Sequence, residues 1–312
     1  MGGYLTQLNS YDEAFRNMDM KMLMTREERL AQKMANLYAA EATPLVYSET
    51  YLPEKDKAGW FRPYTTFEKV DLKNGPKVKN IMYGSYFGFD TPMYETKKGW
   101  DAQYSLYAGY NGSHQHYSGN SIYQNGGTLG ASGIWYKGDF FTGLTANIGA
   151  SVADASTMYG SEDFPMLMTG IASKSGYNWE LAKGKFIIQP SYLMSYSFVH
   201  TFDYTNAAGA KISADPLHAI NITPGVKFIG NLKHGWQPYL GVQMVWNIMD
   251  KTDFTAQNAA LPDMSIKPYV QYGVGIQKRY GERFTGFFQS MVRNGGRDGV
   301  ALTAGLRWTL GK

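Results

Sequence analysis

The chain has no cysteine, which excludes a disulfide framework and any thiolate metal site. This suits passage through an oxidising periplasm and is equally compatible with a reducing compartment. Long hydrophobic runs are missing too. A membrane-spanning helix needs about 20 predominantly apolar residues, whereas the apolar stretches here are a handful of residues long. Neither sign of charge dominates: 30 Lys and Arg against 26 Asp and Glu leave +4, scattered without the basic stripe of a nucleic-acid surface. The opening Met1-Gly2-Gly3-Tyr4-Leu5 lacks the charged n-region, apolar h-region and small-residue cleavage site of an export signal. An exported chain needs such a leader, so either this one is an internal or C-terminal piece of a longer precursor or it is not exported.

What is present is apolar and aromatic, but diluted. Hydrophobic residues make up 44% and aromatics 15% of the chain, with 35 glycines, yet mean hydropathy is −0.36. Residues 1 to about 44 are rich in Met, Glu, Arg, Lys and Ala and poor in Gly, which reads as a helical segment preceding a second unit over 45–312. Ser10-Tyr11-Asp12-Glu13 and Thr25-Arg26-Glu27-Glu28 fit the capping-box pattern. Leu30, Met34, Leu37 and Tyr38 follow at i, i+4, i+7 and i+8, one narrow apolar face.

From Trp60 onward the period is 2. Over 236–248 the even positions are Trp236, Pro238, Leu240, Val242, Met244, Trp246 and Ile248, while the odd ones include Gln237, Gly241, Gln243 and Asn247. The same parity runs through 264–277 and closes the chain, where Val300, Leu302, Leu306, Trp308 and Leu310 oppose Thr303, Gly305, Arg307 and Thr309. Further alternating segments lie at 100–110, 140–150, 186–198 and 218–228, with weaker ones at 60–68, 81–89, 127–136, 166–177 and 283–293. About twelve strands of roughly ten residues result, an even number of the length a tilted spanning strand needs.

A soluble sandwich or propeller also alternates, but two features favour an all-β transmembrane barrel. Aromatics stand at strand ends, as with Trp100, Tyr110, Trp236, Trp246 and Trp308, where interfacial girdles sit. Tight turns at 137–139, 181–184, 231–235 and 280–282 also alternate with expected long loops at 111–122, 152–165, 199–216 and 249–263. Pro190, Pro224, Pro238 and Pro268 fall inside predicted strands and are expected to mark bulges or strand ends, since a closed barrel has no edge for a missing donor.

Parity assigns Asp101, Lys174, Lys227, Lys267 and Arg307, with Gln243 and Gln271, to a polar lumen, because a Lys or Arg on the lipid face costs about 2–4 kcal/mol at midplane. A helix over 26–41 would reach about 24 Å, close to the apolar band of a barrel wall. Arg26, Arg29 and Lys33 would face a hydrated pore beside the Leu30, Met34 and Leu37 face. The reading therefore predicts a lumenal plug helix there, an external helix or short coiled coil being the alternative.

The segments Gly235-Trp236-Gln237-Pro238-Tyr239-Leu240-Gly241 and Tyr269-Val270-Gln271-Tyr272-Gly273-Val274-Gly275 resemble an autotransporter (type V secretion) β-domain. Above all, Arg293-Asn294-Gly295-Gly296-Arg297-Asp298-Gly299-Val300 and Ala304-Gly305-Leu306-Arg307-Trp308 are similar to that family's closing hairpin and final strand. The resemblance implies a twelve-stranded, helix-plugged pore in a Gram-negative outer membrane, anchoring and translocating an N-terminal passenger to the cell surface. It assigns the assembly signal to Val300, Leu302, Leu306, Trp308 and Leu310. Implied partners are outer-membrane lipid and lipopolysaccharide, the barrel-assembly machinery, periplasmic chaperones and the chain's own passenger; a monomer without cofactor or catalysis is implied too. Two departures stand out: the chain ends Leu310-Gly311-Lys312 where the family ends on an aromatic, and it has no Asn-Asn pair for the self-cleavage of some members.

Other chemistry finds little purchase. His114-Gln115-His116 is the one close histidine pair, but a metal site takes three or four ligands and none is near in sequence. His200 with Asp203 and His218 with Asp215 are the places for a rim-active hydrolase, without a nucleophile motif. Gly273-x-Gly275 precedes no helix, so it is no phosphate loop; small lumenal residues making room for a helix explain it. A stand-alone porin-like channel remains the main competitor.

Overall fold

A computed structural model describes residues 2–21, 57–96, 99–182, 185–250, 254–257, 259–260, 265–280 and 283–310. Twelve long strands dominate: β1 (Ala58–Lys73), β2 (Lys77–Asp90), β3 (Asp101–Tyr117), β4 (Asn120–Lys137), β5 (Phe140–Thr157), β6 (Gly160–Tyr177), β7 (Phe186–Thr201), β8 (Leu217–Gly230), β9 (Trp236–Met249), β10 (Tyr269–Tyr280), β11 (Phe284–Gly295) and β12 (Arg297–Thr309). Each pairs antiparallel with the next, and β12 returns to β1 through Trp60↔Arg307, Thr65↔Leu302 and Val70↔Arg297. Closure satisfies the backbone groups that an edge would leave bare, the condition for a sheet in lipid. Among the described residues no helix is long and apolar enough to cross a membrane.

The outer wall carries the greasy parity. Leu106, Leu129, Leu144, Ile148, Leu240, Val274 and Leu306 form its exposed aliphatic middle. Near the end where β1 begins and β12 finishes, the near end, lie Phe89, Tyr104, Phe140, Tyr177, Trp236 and Phe284; toward the opposite, far end lie Phe67, Tyr83, Tyr110, Tyr123 and Trp246. These are two aromatic girdles around an apolar band. At the near girdle Trp100 meets Phe140 edge-on at 6.0 Å, and Lys278 lies 4.2 Å over Trp236, an ammonium at the edge of the band.

The expected loops at 111–122 and 152–165 are strands instead. β3 and β4 pair up to Tyr117↔Asn120 around Ser118-Gly119, and β5 and β6 up to Thr157↔Gly160 around Met158-Tyr159. The physical reason is that these strands, of 17 or 18 residues, outrun the roughly 9–11 residues that lipid requires. Beyond the band both faces are polar, so hydropathy stops alternating while hydrogen bonding continues. Far-end connections at 202–216 and 250–268 are long, and their segments Tyr204–Thr205, Lys211–Ala214, Phe254–Ala256 and Ala259–Ala260 build a small four-stranded rim sheet.

The prolines sit where a ladder pauses. Pro190 is one residue beyond the last β6–β7 pair, Gly176↔Ser191. Pro224 falls in the gap between Ile222↔Trp246 and Gly225↔Gln243, Pro238 follows the last β8–β9 pair, and Pro268 precedes β10. Pro63, unremarked in the strand reading, interrupts the β1–β12 seam between Phe61↔Leu306 and Tyr64↔Thr303. A closed barrel thus accommodates proline by skipping a bond on one side.

Helix α1 (Gly2–Lys21) lies inside the barrel. From Gly2 to Arg16 every residue but Asp12 is buried, apolar and polar alike, so the segment shows no single apolar face. It leans on β3–β7, where small residues admit it: a Cβ on Gly170 would lie 1.7 Å from Tyr11 Oη. The structure therefore corrects the capping-box reading at Ser10–Glu13, which is mid-helix. There Ser10 Oγ accepts from Asn147 Nδ2 at 2.9 Å and Glu13 pairs with Arg16, because the polar wall, not a helix start, takes those side chains. The predicted plug helix over 26–41, with Arg26, Arg29, Leu30, Lys33, Met34 and Leu37, lies outside the described residues. The lumenal helix that is described comes earlier in the chain.

Candidate functional site: a helix-filled lumen

Because side chains alternate across a strand, inward parity gathers polar residues around α1. At its N-terminal half, Tyr4 Oη donates to Asn247 Oδ1 at 2.7 Å, and Tyr11 Oη donates to the Tyr196 carbonyl at 2.8 Å. Lower down, Arg16 holds Glu13 with both Nε and Nη2 at 3.1 Å and donates from Nη1 to Gln289 Oε1 at 2.8 Å. Arg62 of β1 donates to the Glu13 carbonyl and stacks 4.0 Å over Trp60. The helix N-terminus is toward the far end, since Gly2 abuts Gln115 and Gln124, close to the β3–β4 turn. Arg16 is toward the near end, beside β11 and β1.

Two buried charge clusters fasten the seam between first and last strands. Glu68 receives Arg293 Nη1 at 2.9 Å, Arg297 Nε at 2.8 Å and Asn80 Nδ2 at 2.9 Å, while Arg297 also reaches Tyr269 Oη at 3.2 Å. Nearer the β1 start, Asp90 accepts from Trp60 Nε1 at 3.1 Å, Ser105 Oγ at 2.6 Å and Arg307 Nε at 3.2 Å. Each carboxylate is saturated with donors, the condition under which a buried ion survives.

Of the residues assigned to the lumen by parity, Arg307 forms the second cluster. Gln271 is buried and accepts from Arg293 Nε at 2.7 Å. Lys174, Lys227 and Gln243, with Asp12, Arg16 and Tyr239, line a partly open polar pocket between α1 and the β8–β10 wall. Asp101 opens β3 opposite buried Tyr136, at the near mouth. Lys267 is a correction: it precedes β10 on the far rim, exposed, with Nζ 3.0 Å from Asp71, because Pro268 starts the strand later than the alternation runs. Glu68, Asp90, Arg293 and Arg297 escaped the sequence reading. Glu68 shares the parity of Trp60 and Tyr64, a usable signal; the arginines face it only through the seam.

On β12, Val300 and Leu306 are exposed on the outer wall, with Leu302 and Trp308 half-buried on the same face, and Leu310, one residue past the strand end, is exposed. The two histidines of 114–116 share that outward side of β3, and His114 stacks 4.0 Å from Tyr123. His218 Nδ1 is 2.7 Å from Tyr196 Oη, and Asp203 Oδ1 accepts from Ser213 Oγ at 2.7 Å. These pairs serve the wall and the rim sheet.

No protein-family profile and no curated protein sequence matches the chain. Among solved structures it is similar to the transport unit of the autotransporter AIDA-I from Escherichia coli, at 14% identity and TM-score 0.69, covering 89% of this chain and 97% of that one. The β domain of the Bordetella autotransporter BrkA gives 15% identity and TM-score 0.64 over 81% and 99% of the two chains. The translocator domain of NalP from Neisseria meningitidis gives 10% and 0.66 over 92% and 98%. At these identities the likeness is one of fold alone.

Proposed function

We propose that this chain is an outer-membrane translocator and anchor, whose lumen passed an N-terminal passenger to the cell surface and is now occupied by the helix behind it. The observation that carries the reading is α1: it runs inside a closed barrel with its N-terminus toward the far end, while β1 begins at the near end. A chain arranged this way connects a segment beyond the far end to a barrel inserted from the near one. The interior performs no bond-making step; it holds a hydrated, hydrogen-bonded sleeve around a helix. The seam clusters of Glu68 and Asp90 keep that sleeve shut. Outer-membrane lipid would contact the aliphatic band, and the β12 face of Val300, Leu302, Leu306, Trp308 and Leu310 would be read by the barrel-assembly machinery, after escort by periplasmic chaperones.

The competing channel reading draws on the cavity beside α1. Planar-bilayer recording separates the two. The full chain should conduct weakly, and removal of residues 2–21 should raise single-channel conductance severalfold, because a helix with side chains is about 10–12 Å across. Large, unchanged conductance in both forms would instead make the chain a channel.

A further inference from the structure

The strand register brings like charges together on the outer wall near the far end. Lys69 of β1 is directly opposite Lys79 of β2, and Lys79 is opposite His116 of β3. Lys73 and Lys77 lie just beyond, and all four lysines are exposed. Lys267 joins them, its Nζ 3.0 Å from Asp71, which also faces Lys77 at 4.0 Å. On the other side Asp298 is opposite Lys69, its Oδ1 accepting the Gly295 N–H at 2.9 Å. Five lysines against two aspartates leave an excess of three positive charges, 5 − 2 = 3. Among the described residues neither Lys69 nor Lys79 forms an ion pair.

Like charges directly opposite one another destabilise a sheet, so this pair costs the isolated barrel stability. Two residues closer to the apolar band on the same face, Phe67 and Ile81 oppose each other with 50% and 40% of their surface exposed. Two residues along a strand is about 6.7 Å, which places the ammonium groups at headgroup height above an apolar landing. On β5 and β6 the corresponding outward pair is instead acidic, Asp154 opposite Asp163.

We propose that the β1–β3 sector binds the phosphates of the phosphorylated glycolipid of the outer leaflet, with Lys69 and Lys79 sharing one phosphate and the acyl chains lying on Phe67 and Ile81. This rests on the far end facing outward, as in the function proposed above.

The test follows the temperature at which the detergent-folded full chain changes gel mobility, titrated with diphosphoryl lipid A, dephosphorylated lipid A or inorganic phosphate. Diphosphoryl lipid A should raise the transition of the parent chain, and the other two should not. In Lys69→Gln/Lys79→Gln the half-saturating concentration should rise about thirtyfold, as two lysines at about 1 kcal/mol each imply. Without lipid the double variant should be at least as stable as the parent, because the repulsion is gone. Lys278→Gln at the near girdle should titrate like the parent. Equal protection by dephosphorylated lipid A, protection by inorganic phosphate alone, or unaltered titration of the double variant would each overturn the site while leaving a heat-modifiable barrel intact. A chain with no mobility shift at all would remove the membrane reading, and this site with it.

Discussion

Glu68 shows what a single residue contributes. Its carboxylate is enclosed by Arg293, Arg297 and Asn80, with side-chain exposures of 0%, 4% and 1% for Glu68, Arg293 and Arg297. Breaking a buried ion pair from one side costs about 3–5 kcal/mol, since the remaining charges stay desolvated. Glu68→Gln leaves two guanidiniums with an amide that carries no charge, and it should lower the gel-mobility transition temperature by that order of free energy. Replacing Lys69 or Asp298 on the solvated outer wall should move it far less. A transition in Glu68→Gln equal to the parent's would mean that the seam does not depend on this cluster.

At the scale of the element, one strand face meets lipid and the other the lumen, so neighbours in sequence have opposite tolerances. Leu306 stands on the outer wall of β12, one outward position in from Trp308. Leu306→Arg puts a cation inside the band and should cost about 2 kcal/mol, between the values for interface and midplane. Gln243→Arg, in the cavity wall of β9, should cost under about 1 kcal/mol. Thr303 is a poorer control than its parity implies, being buried 3.5 Å from Glu13 Oε1. Equal losses in the Leu306 and Gln243 variants, read from denaturant-dependent folding into vesicles, would contradict the assignment of faces. Within the elements, α1 has the composition of a marginal helix, and its stability comes from the wall: Asn147, Asn247, Gln289 and the Tyr196 carbonyl each bond to it.

For the whole molecule, the two ends of the barrel are distinguishable by their connections, and the orientation proposed above makes them chemically accessible from opposite sides. The cysteine-free chain allows single thiols to report this. Ser118→Cys, in the far β3–β4 turn, should react with a membrane-impermeant maleimide on intact cells, whereas Asp139→Cys, in the near β4–β5 turn, should react only after the outer membrane is permeabilised. The reverse pattern would invert the barrel and with it the direction of transport.

How much of this was legible beforehand follows from which forces are local. Period-2 alternation is written into each strand by the backbone itself, so the number of strands, their lipid-facing side and the inward stations of Lys227, Gln243, Gln271 and Arg307 could be read along the chain. Where the strands rise beyond the lipid band, alternation carries no hydropathy contrast, and residues 111–122 and 152–165 looked like loops until pairing with a neighbour revealed them as strands. The ion pairs of Glu68 join residues 225 and 229 positions apart. The opposition of Lys69 and Lys79 exists only once β1 and β2 take a definite register. The placement of Gly2–Lys21 in the lumen is likewise a tertiary decision, because a helix surrounded by polar walls needs no amphipathic stripe to announce it. The amino-acid order by itself determined the run of alternating, lipid-facing strands, through the local geometry of the strand; which helix fills the barrel, which charges lock its seam and which lysines meet on its rim were decided by closure, the step that makes distant residues neighbours.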